Sequence, residues 1–231
     1  MQQKNRCFAG NLIWGLIFLL CISIIIFPES REVFLRVTEN HPYILGFLKF
    51  GILATMGDLL GWRITNGRWR FPQGFFFKAC LWGIIGMAIT LVMSVYNEGV
   101  AGAMALGRLP LKGSSLALAF FSSAVMDLTF GPMLYIYHKF GELYIDSRYE
   151  ARGRKVALRE LVKKVDWETM VCFSWVKTCV FIWIPLHAIV FLLPSQYRVL
   201  ASALLSVLLG VLIAVSKKAA FSKTPLRNRR N

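Results

Sequence analysis

The sequence predicts an all-α fold: a polytopic transmembrane helical bundle with six spans and both termini on the same side of the membrane. Its composition supports this fold class, because 56% of the 231 residues are hydrophobic and the mean hydropathy is +0.55. The apolar residues also form unbroken blocks of about 20, the helical length that crosses a bilayer core of roughly 30 Å. A soluble domain would instead show shorter, periodic apolar stretches.

The six blocks follow one another along the chain. The first, 8–27, comes after Lys4 and Arg6 and ends at Pro28. It is longer than the apolar region of a signal peptide, and no small-x-small cleavage site follows it, so we expect a retained span. The last two blocks are separated by so few residues that they should form an antiparallel hairpin. The blocks after the first are 43–62, 74–96, 115–138, 170–193 and 197–216.

The distribution of basic residues predicts the orientation. With the N-terminus inside, the inner segments hold nineteen of the 27 Lys and Arg residues, and the outer loops hold five. Cytoplasmic loops of membrane proteins carry such an excess, so both termini are expected inside. The predicted organisation is an inner segment at 1–7, a six-span membrane domain at 8–216 and a basic, disordered tail at 217–231.

The formal net charge of +15 could also indicate a nucleic-acid partner. The basic residues are concentrated beside the apolar blocks, however, so we expect the lipid bilayer as partner and no nucleic acid. No Arg- and Ser-rich transit segment precedes Phe8, which favours a bacterial cytoplasmic membrane. An organelle inner membrane is the alternative, and a homo-oligomer stays open.

The longest polar segment, 141–168, is predicted to be a basic amphipathic segment on the inner side. Its apolar residues Leu158, Leu161, Val162 and Val165 have helical spacing. We expect the basic side chains to contact anionic lipid headgroups. The alternative is a linker helix that packs on the bundle. The basic residues are Arg154, Lys155, Arg159, Lys163 and Lys164.

Six ionisable residues lie within the apolar blocks. Each charge at depth is costly unless it is paired or hydrated. Asp58 and Asp127 stand on stripes of small residues, so both should point into the bundle. The hypothesis is a polar cluster that lines a water-filled path through the membrane, and the alternative is a set of structural ion pairs. The six residues are Asp58, Asp127, Lys78, Lys177, Lys49 and His187.

Two prolines interrupt the spans. Pro132 and Pro185 each remove a backbone donor and should kink their helices. His187 follows Pro185 by two residues, which predicts either a kinked, partly hydrated site or a buried histidine with a satisfied hydrogen bond. His138 and His187 are expected near opposite membrane faces, too far apart to share a site.

Short motifs in three spans have a characteristic order. An early span contains Gly57-Asp58, and a middle span contains Gly131-Pro132. The last hairpin contains Trp183, Pro185, Pro194, Tyr197 and Arg198. Together these motifs resemble the signatures of the Mpv17/PMP22 family of small integral membrane proteins, over roughly residues 42–217.

The resemblance is to a distant, bacterial-type relative, since that family is usually drawn with four spans. It implies pore or channel activity in the membrane. The leading functional hypothesis is therefore a channel or facilitator for small solutes. The alternative is a non-transporting membrane factor that organises lipid or partner proteins.

An enzyme is not expected. The sequence contains no HExxH, GxSxG or phosphate-binding glycine motif. The five cysteines show no CxxC pair and no metal-ligand spacing with histidine. We therefore expect no catalytic residue, no cofactor and no metal ligand.

Overall fold

A computed structural model describes residues 2–151 and 155–223, with side chains at 7–151, 155–208, 210 and 211. Every regular element in these ranges is a helix, as the composition predicts. The elements are α1 (Gln2–Ile26), α2 (Pro28–Asn40), α3 (Pro42–Asn66), α4 (Phe75–Ala105), α5 (Ser115–Glu150), α6 (Leu158–Lys164), a π-helix (Thr169–Trp183), α7 (Ile184–Leu192) and α8 (Ser195–Lys223).

Prolines and glycines set several of the helix boundaries. Pro28 and Pro42 open α2 and α3, where a missing backbone N–H costs nothing. Gly67 ends α3 with φ 72°, a left-handed conformation that glycine adopts without steric cost. Gly74, with φ 68°, precedes α4.

Five helices within the described residues are long and apolar enough to cross a membrane. They correspond to the first five predicted blocks. The sixth block lies in α8, a helix of 29 residues. The five stretches are Cys7–Ile26, Pro42–Asn66, Phe75–Ala105, Ser115–Glu150 and Thr169–Leu192.

Three predicted boundaries are wrong. The connection after the first span is not a loop but α2, whose Thr38 is buried. The segment 141–168 begins inside α5, which continues to Glu150, and its apolar residues with helical spacing start at α6, a helix of seven residues. The predicted disordered tail begins too early, since α8 continues through Lys223, while 224–231 lie outside the described residues.

The π-helix is the least regular span. The backbone N–H of Ile184 donates to the carbonyl of Cys179, five residues earlier. At the start of the helix, the hydroxyl and the backbone N–H of Thr169 donate to Asp166 and lower the pKa of that carboxyl. Pro185, which has no backbone N–H, follows at the start of α7, where the π-helical turns end. Such wide turns are rare and occur frequently at functional sites.

The helices α3, α4, α5, α7 and α8 form the core of the bundle. α3 packs on α4 and α8, and α4 packs on α5, which in turn packs on α7 and the π-helix. Gly46 meets Gly86 between α3 and α4, and Gly57 meets Gly210 between α3 and α8. Small residues allow this close approach, which drives helix association in lipid. α1 lies at the periphery, where the Trp14 indole donates to the carbonyl of Met56 at 3.0 Å.

Candidate functional site

A cavity of about 190 Å³ lies inside the bundle, and α5 and α8 face each other across it. Most of its wall is apolar. Polar side chains are present at two places along it, one around Asp127 and one around Asp58. The main apolar side chains of the wall are Phe50, Ile89, Val92, Met126, Phe130 and Leu134.

Asp127 is the centre of the first polar group and is only 4% exposed. The Ser123 hydroxyl, one helical turn earlier on α5, lies 3.1 Å from Asp127 Oδ2 and 2.7 Å from the carbonyl of Ile184. His187 Nδ1 lies 2.9 Å from Asp127 Oδ1 and 3.1 Å from Oδ2. An acid from α5 and an imidazole from α7 therefore form one polar site, and the buried Ser123 hydroxyl contacts the acid.

Aromatic side chains hold the imidazole of this group in place. The Trp183 ring stacks on His187 with 5.1 Å between the ring centroids and an angle of 15°. The Trp183 indole in turn donates to the hydroxyl of Tyr135 at 2.9 Å. Trp183 occupies this position because the π-helix ends there and α7 begins. The unusual helix thus orients a side chain of the cavity wall.

The second polar group is built around Asp58. The Trp82 indole donates to Asp58 Oδ2 at 2.7 Å. The ring of Trp82 also lies against His138, with 4.1 Å between centroids. His138 Nδ1 is 3.9 Å from Glu142 Oε2, one helical turn further along α5. Asp58, His138 and Glu142 each offer a ligand atom within 4.8 Å of the other two.

Three of the six residues predicted for a polar path line the cavity. These are Asp58, Asp127 and His187. His138 lines the same cavity, but it belongs to the group around Asp58, whereas His187 contacts Asp127.

The three lysines do not join Asp58 and Asp127. Lys78 forms an ion pair with Asp146 at 2.7 Å. Lys49 is buried, but it donates to Thr38 Oγ1 at 3.1 Å and lies 4.6 Å from the Phe34 ring centroid. Lys177 is exposed on the outer face of the π-helix. None of these three lysines lines the cavity.

Several motif residues contact other helices. A Cβ on Gly57 would lie 3.0 Å from Val207 Cα, and one on Gly131 would lie 3.0 Å from Cys179 Sγ. Pro132 lies inside α5.

The remaining motif residues shape the hairpin between α7 and α8. The carbonyl of Pro194 accepts from the backbone N–H of Tyr197 at 3.0 Å. The Arg198 guanidinium donates to the carbonyl of Leu193 at 2.9 Å, just beyond α7. A basic side chain is favourable at this helix terminus.

The basic side chains of α6 and its surroundings divide into two sets. Lys164 donates to Ser147 Oγ at 2.9 Å and to Glu150 Oε2 at 3.1 Å, which ties α6 to the end of α5. Lys155, Arg159 and Lys163 are exposed. Arg154 lies outside the described residues. Leu161 and Val165 are buried, so α6 packs on the bundle while part of its basic face stays free.

Sequence reasoning did not assign His138 and Glu142 to a site. A signal for them was present, because His138 follows Asp127 by eleven residues, close to three helical turns. Both therefore project from the same face of α5, and Glu142 follows one turn later. Their partner Trp82 could not be identified, since the pairing of α3, α4 and α5 depends on the three-dimensional arrangement.

No family model matches the chain, and no curated protein or solved structure matches it.

Proposed function

We propose that this protein is a six-span channel or facilitator for small solutes, related distantly to the Mpv17/PMP22 family, and that the cavity is its path. The observation that supports this most is that Asp58 and Asp127, carried by different helices, line the same cavity. Asp58 is exposed and Asp127 is almost fully buried, yet both line this one cavity.

The size and lining of the cavity are consistent with a hydrated path. Its volume of about 190 Å³ is many times the ~15 Å³ that one water requires. Water needs two to four polar partners, which the carboxylate and imidazole groups provide at two depths. The apolar wall between the two groups would let a small solute pass without strong binding.

The charge of the lining predicts the kind of solute. The described residues of the wall include two carboxylates and two imidazoles but no Lys or Arg. Cations and neutral hydrogen-bond donors should therefore pass more readily than anions. Ionisable groups that face a cavity inside a membrane protein commonly mark such pathways.

The length of α8 supports six spans. A helix of 29 residues is about 43 Å long at 1.5 Å per residue, which exceeds a bilayer core of roughly 30 Å. With six spans, both termini and α6 lie on the inner side. The Asp58 group is then nearer the inner face than the Asp127 group is.

Single-channel recording in planar bilayers tests this function. Wild-type protein should show discrete openings with cation preference. Asp127→Asn removes the charge but keeps the shape, so it should lower the cation-to-anion permeability ratio several-fold. Asp166→Asn is the matched control, because Asp166 is exposed at the start of the π-helix and should leave conductance unchanged.

His187→Gln serves as a second variant for the case in which Asp127→Asn reduces stability. Circular dichroism and thermal unfolding in detergent would establish that each variant is folded. A silent bilayer from folded wild-type protein would contradict the proposal. So would openings that are identical in wild type, Asp127→Asn and His187→Gln.

The second candidate function is the organisation of anionic lipid, and the exposed basic side chains near α6 favour it. Arg159→Gln/Lys163→Gln should reduce the amount of phosphatidylglycerol that remains bound after detergent extraction. High salt should release more of this lipid from the wild type than from the variant, because salt screens the basic side chains. The control pair is Arg108→Gln/Lys112→Gln, which has the same spacing and is exposed in another connection. Equal lipid retention in both pairs would contradict this role.

A further inference from the structure

The group around Asp58 contains three metal-ligating side chains from two helices. α5 supplies His138 and Glu142 from one face, four residues apart, and α3 supplies Asp58. The ligand atoms of the three residues lie within 4.8 Å of one another. One imidazole nitrogen and two carboxylate oxygens are thus brought together by the packing of the bundle.

The charges around this group leave two carboxylates close together. Lys78 lies close enough to act on Asp58, but its ammonium group is engaged by Asp146 at 2.7 Å. His138 stands 3.9 Å from Glu142, too far for a hydrogen bond. Two carboxylates at this separation repel each other unless a cation lies between them. The arrangement therefore favours a positive ion at the centre of the three side chains.

Trp82 orients two of the three side chains. Its indole N–H donates a hydrogen bond to Asp58 Oδ2, which leaves Oδ1 available as a ligand atom. Its ring lies against the imidazole of His138. Partners of this kind fix the orientation of metal ligands and raise affinity. Asp58 is exposed and also lines the cavity, so an ion can reach the group from the open volume.

We infer that Asp58, His138 and Glu142 form a binding site for a first-row divalent transition metal ion at this end of the cavity. The imidazole suits Fe²⁺ and Zn²⁺ and the two carboxylates suit Mn²⁺, whereas Mg²⁺ and Ca²⁺ prefer oxygen ligands alone. Ligand distances of about 2.1 Å require the three side chains to converge by roughly an ångström. Three protein ligands leave coordination positions open to water.

Electron paramagnetic resonance of Mn²⁺ with the full-length protein in detergent tests the site. Wild type should bind one Mn²⁺ per chain, and Zn²⁺ should displace it. His138→Gln and Glu142→Gln should each weaken binding by roughly tenfold or more. Glu150→Gln is the matched control, since Glu150 lies on the same helix two turns further along and pairs with Lys164.

A nitrogen hyperfine signal from the bound Mn²⁺ should be present in wild type and absent in His138→Gln. This readout separates a direct ligand from a residue that only supports the fold. Absence of binding by folded wild type would overturn the inference, as would equal affinities in His138→Gln, Glu142→Gln and Glu150→Gln. This experiment measures metal binding and not transport, so its outcome does not depend on whether the proposed channel function is correct.

Discussion

Three ionisable side chains within the spans are accommodated in different ways. Asp127 is buried and faces an imidazole 2.9 Å away. Lys49 is also buried, but its ammonium group has a hydroxyl partner and an aromatic ring. Lys177 is exposed on the side of its helix that faces away from the bundle. All three lie within apolar blocks, so the neighbouring helix decides their roles.

The first prediction at this scale concerns Lys49. Lys49→Met replaces a buried cation by an apolar chain of similar length, which should change the free energy of unfolding by less than about 1 kcal/mol. Thr38→Val removes the hydrogen-bond partner and leaves the ammonium group without it, which should cost about 2 kcal/mol. Thermal unfolding in detergent measures both effects.

The double variant Lys49→Met/Thr38→Val checks the explanation. If the cost of Thr38→Val arises from the stranded ammonium group, the double variant should recover most of the lost stability. Lys49→Met should also leave conductance unchanged, because Lys49 does not line the cavity. A large change in ion preference in Lys49→Met would contradict this and would show that Lys49 contributes to the path.

At the scale of whole helices, the apolar blocks predicted the presence of the spanning helices better than the positions of their ends. α4 and α5 continue well beyond their blocks, to Ala105 and Glu150. These extensions contain charged residues, so a search for apolar runs ends too early. α2 was missed because its composition is polar, although Pro28 and Glu29 stand where a helix start favours them.

Close contacts between helices depend on a few glycines, and Gly86 gives the sharpest test. A Cβ at this position would overlap the carbonyl oxygen of Gly46, which belongs to the backbone of α3. Gly86→Ala should therefore destabilise the protein by about 1–3 kcal/mol, because α3 and α4 have to separate. Thermal unfolding in detergent measures the loss.

Gly99→Ala is the matched control on the same helix. A Cβ at Gly99 would meet no atom within 4 Å. This substitution should be neutral or stabilise α4 by about 0.5–1 kcal/mol, since alanine loses less backbone entropy in a helix. Equal losses in the two variants would contradict the assignment of the Gly86→Ala effect to the α3–α4 contact.

At the scale of the whole molecule, hydrophobic blocks predict the spans because the bilayer imposes one length on every helix. The cavity could be predicted only in part. The small-residue stripes predicted that Asp58 and Asp127 point into the bundle, because helix–helix contacts in lipid require small residues. Both side chains line the cavity. The lysines were placed wrongly, since long side chains can reach partners on either side of their helix.

The last prediction concerns the number of spans. In a variant in which all five cysteines are replaced by serine or alanine, single cysteines are introduced at Lys112, Lys155 and Asn231. With six spans and the N-terminus inside, a membrane-impermeant maleimide should label Lys112→Cys in intact cells. Lys155→Cys and Asn231→Cys should be labelled only after permeabilisation.

Asn231→Cys decides between five and six spans, because the side of the C-terminus depends on whether the number of spans is odd or even. If α8 did not cross the membrane, position 231 would be labelled from outside together with Lys112→Cys. A helix of 29 residues that returns from the short α7–α8 hairpin is long enough to reach the opposite face. Nineteen basic residues in the inner segments, including those after the last block, would then lie where the positive-inside rule places them.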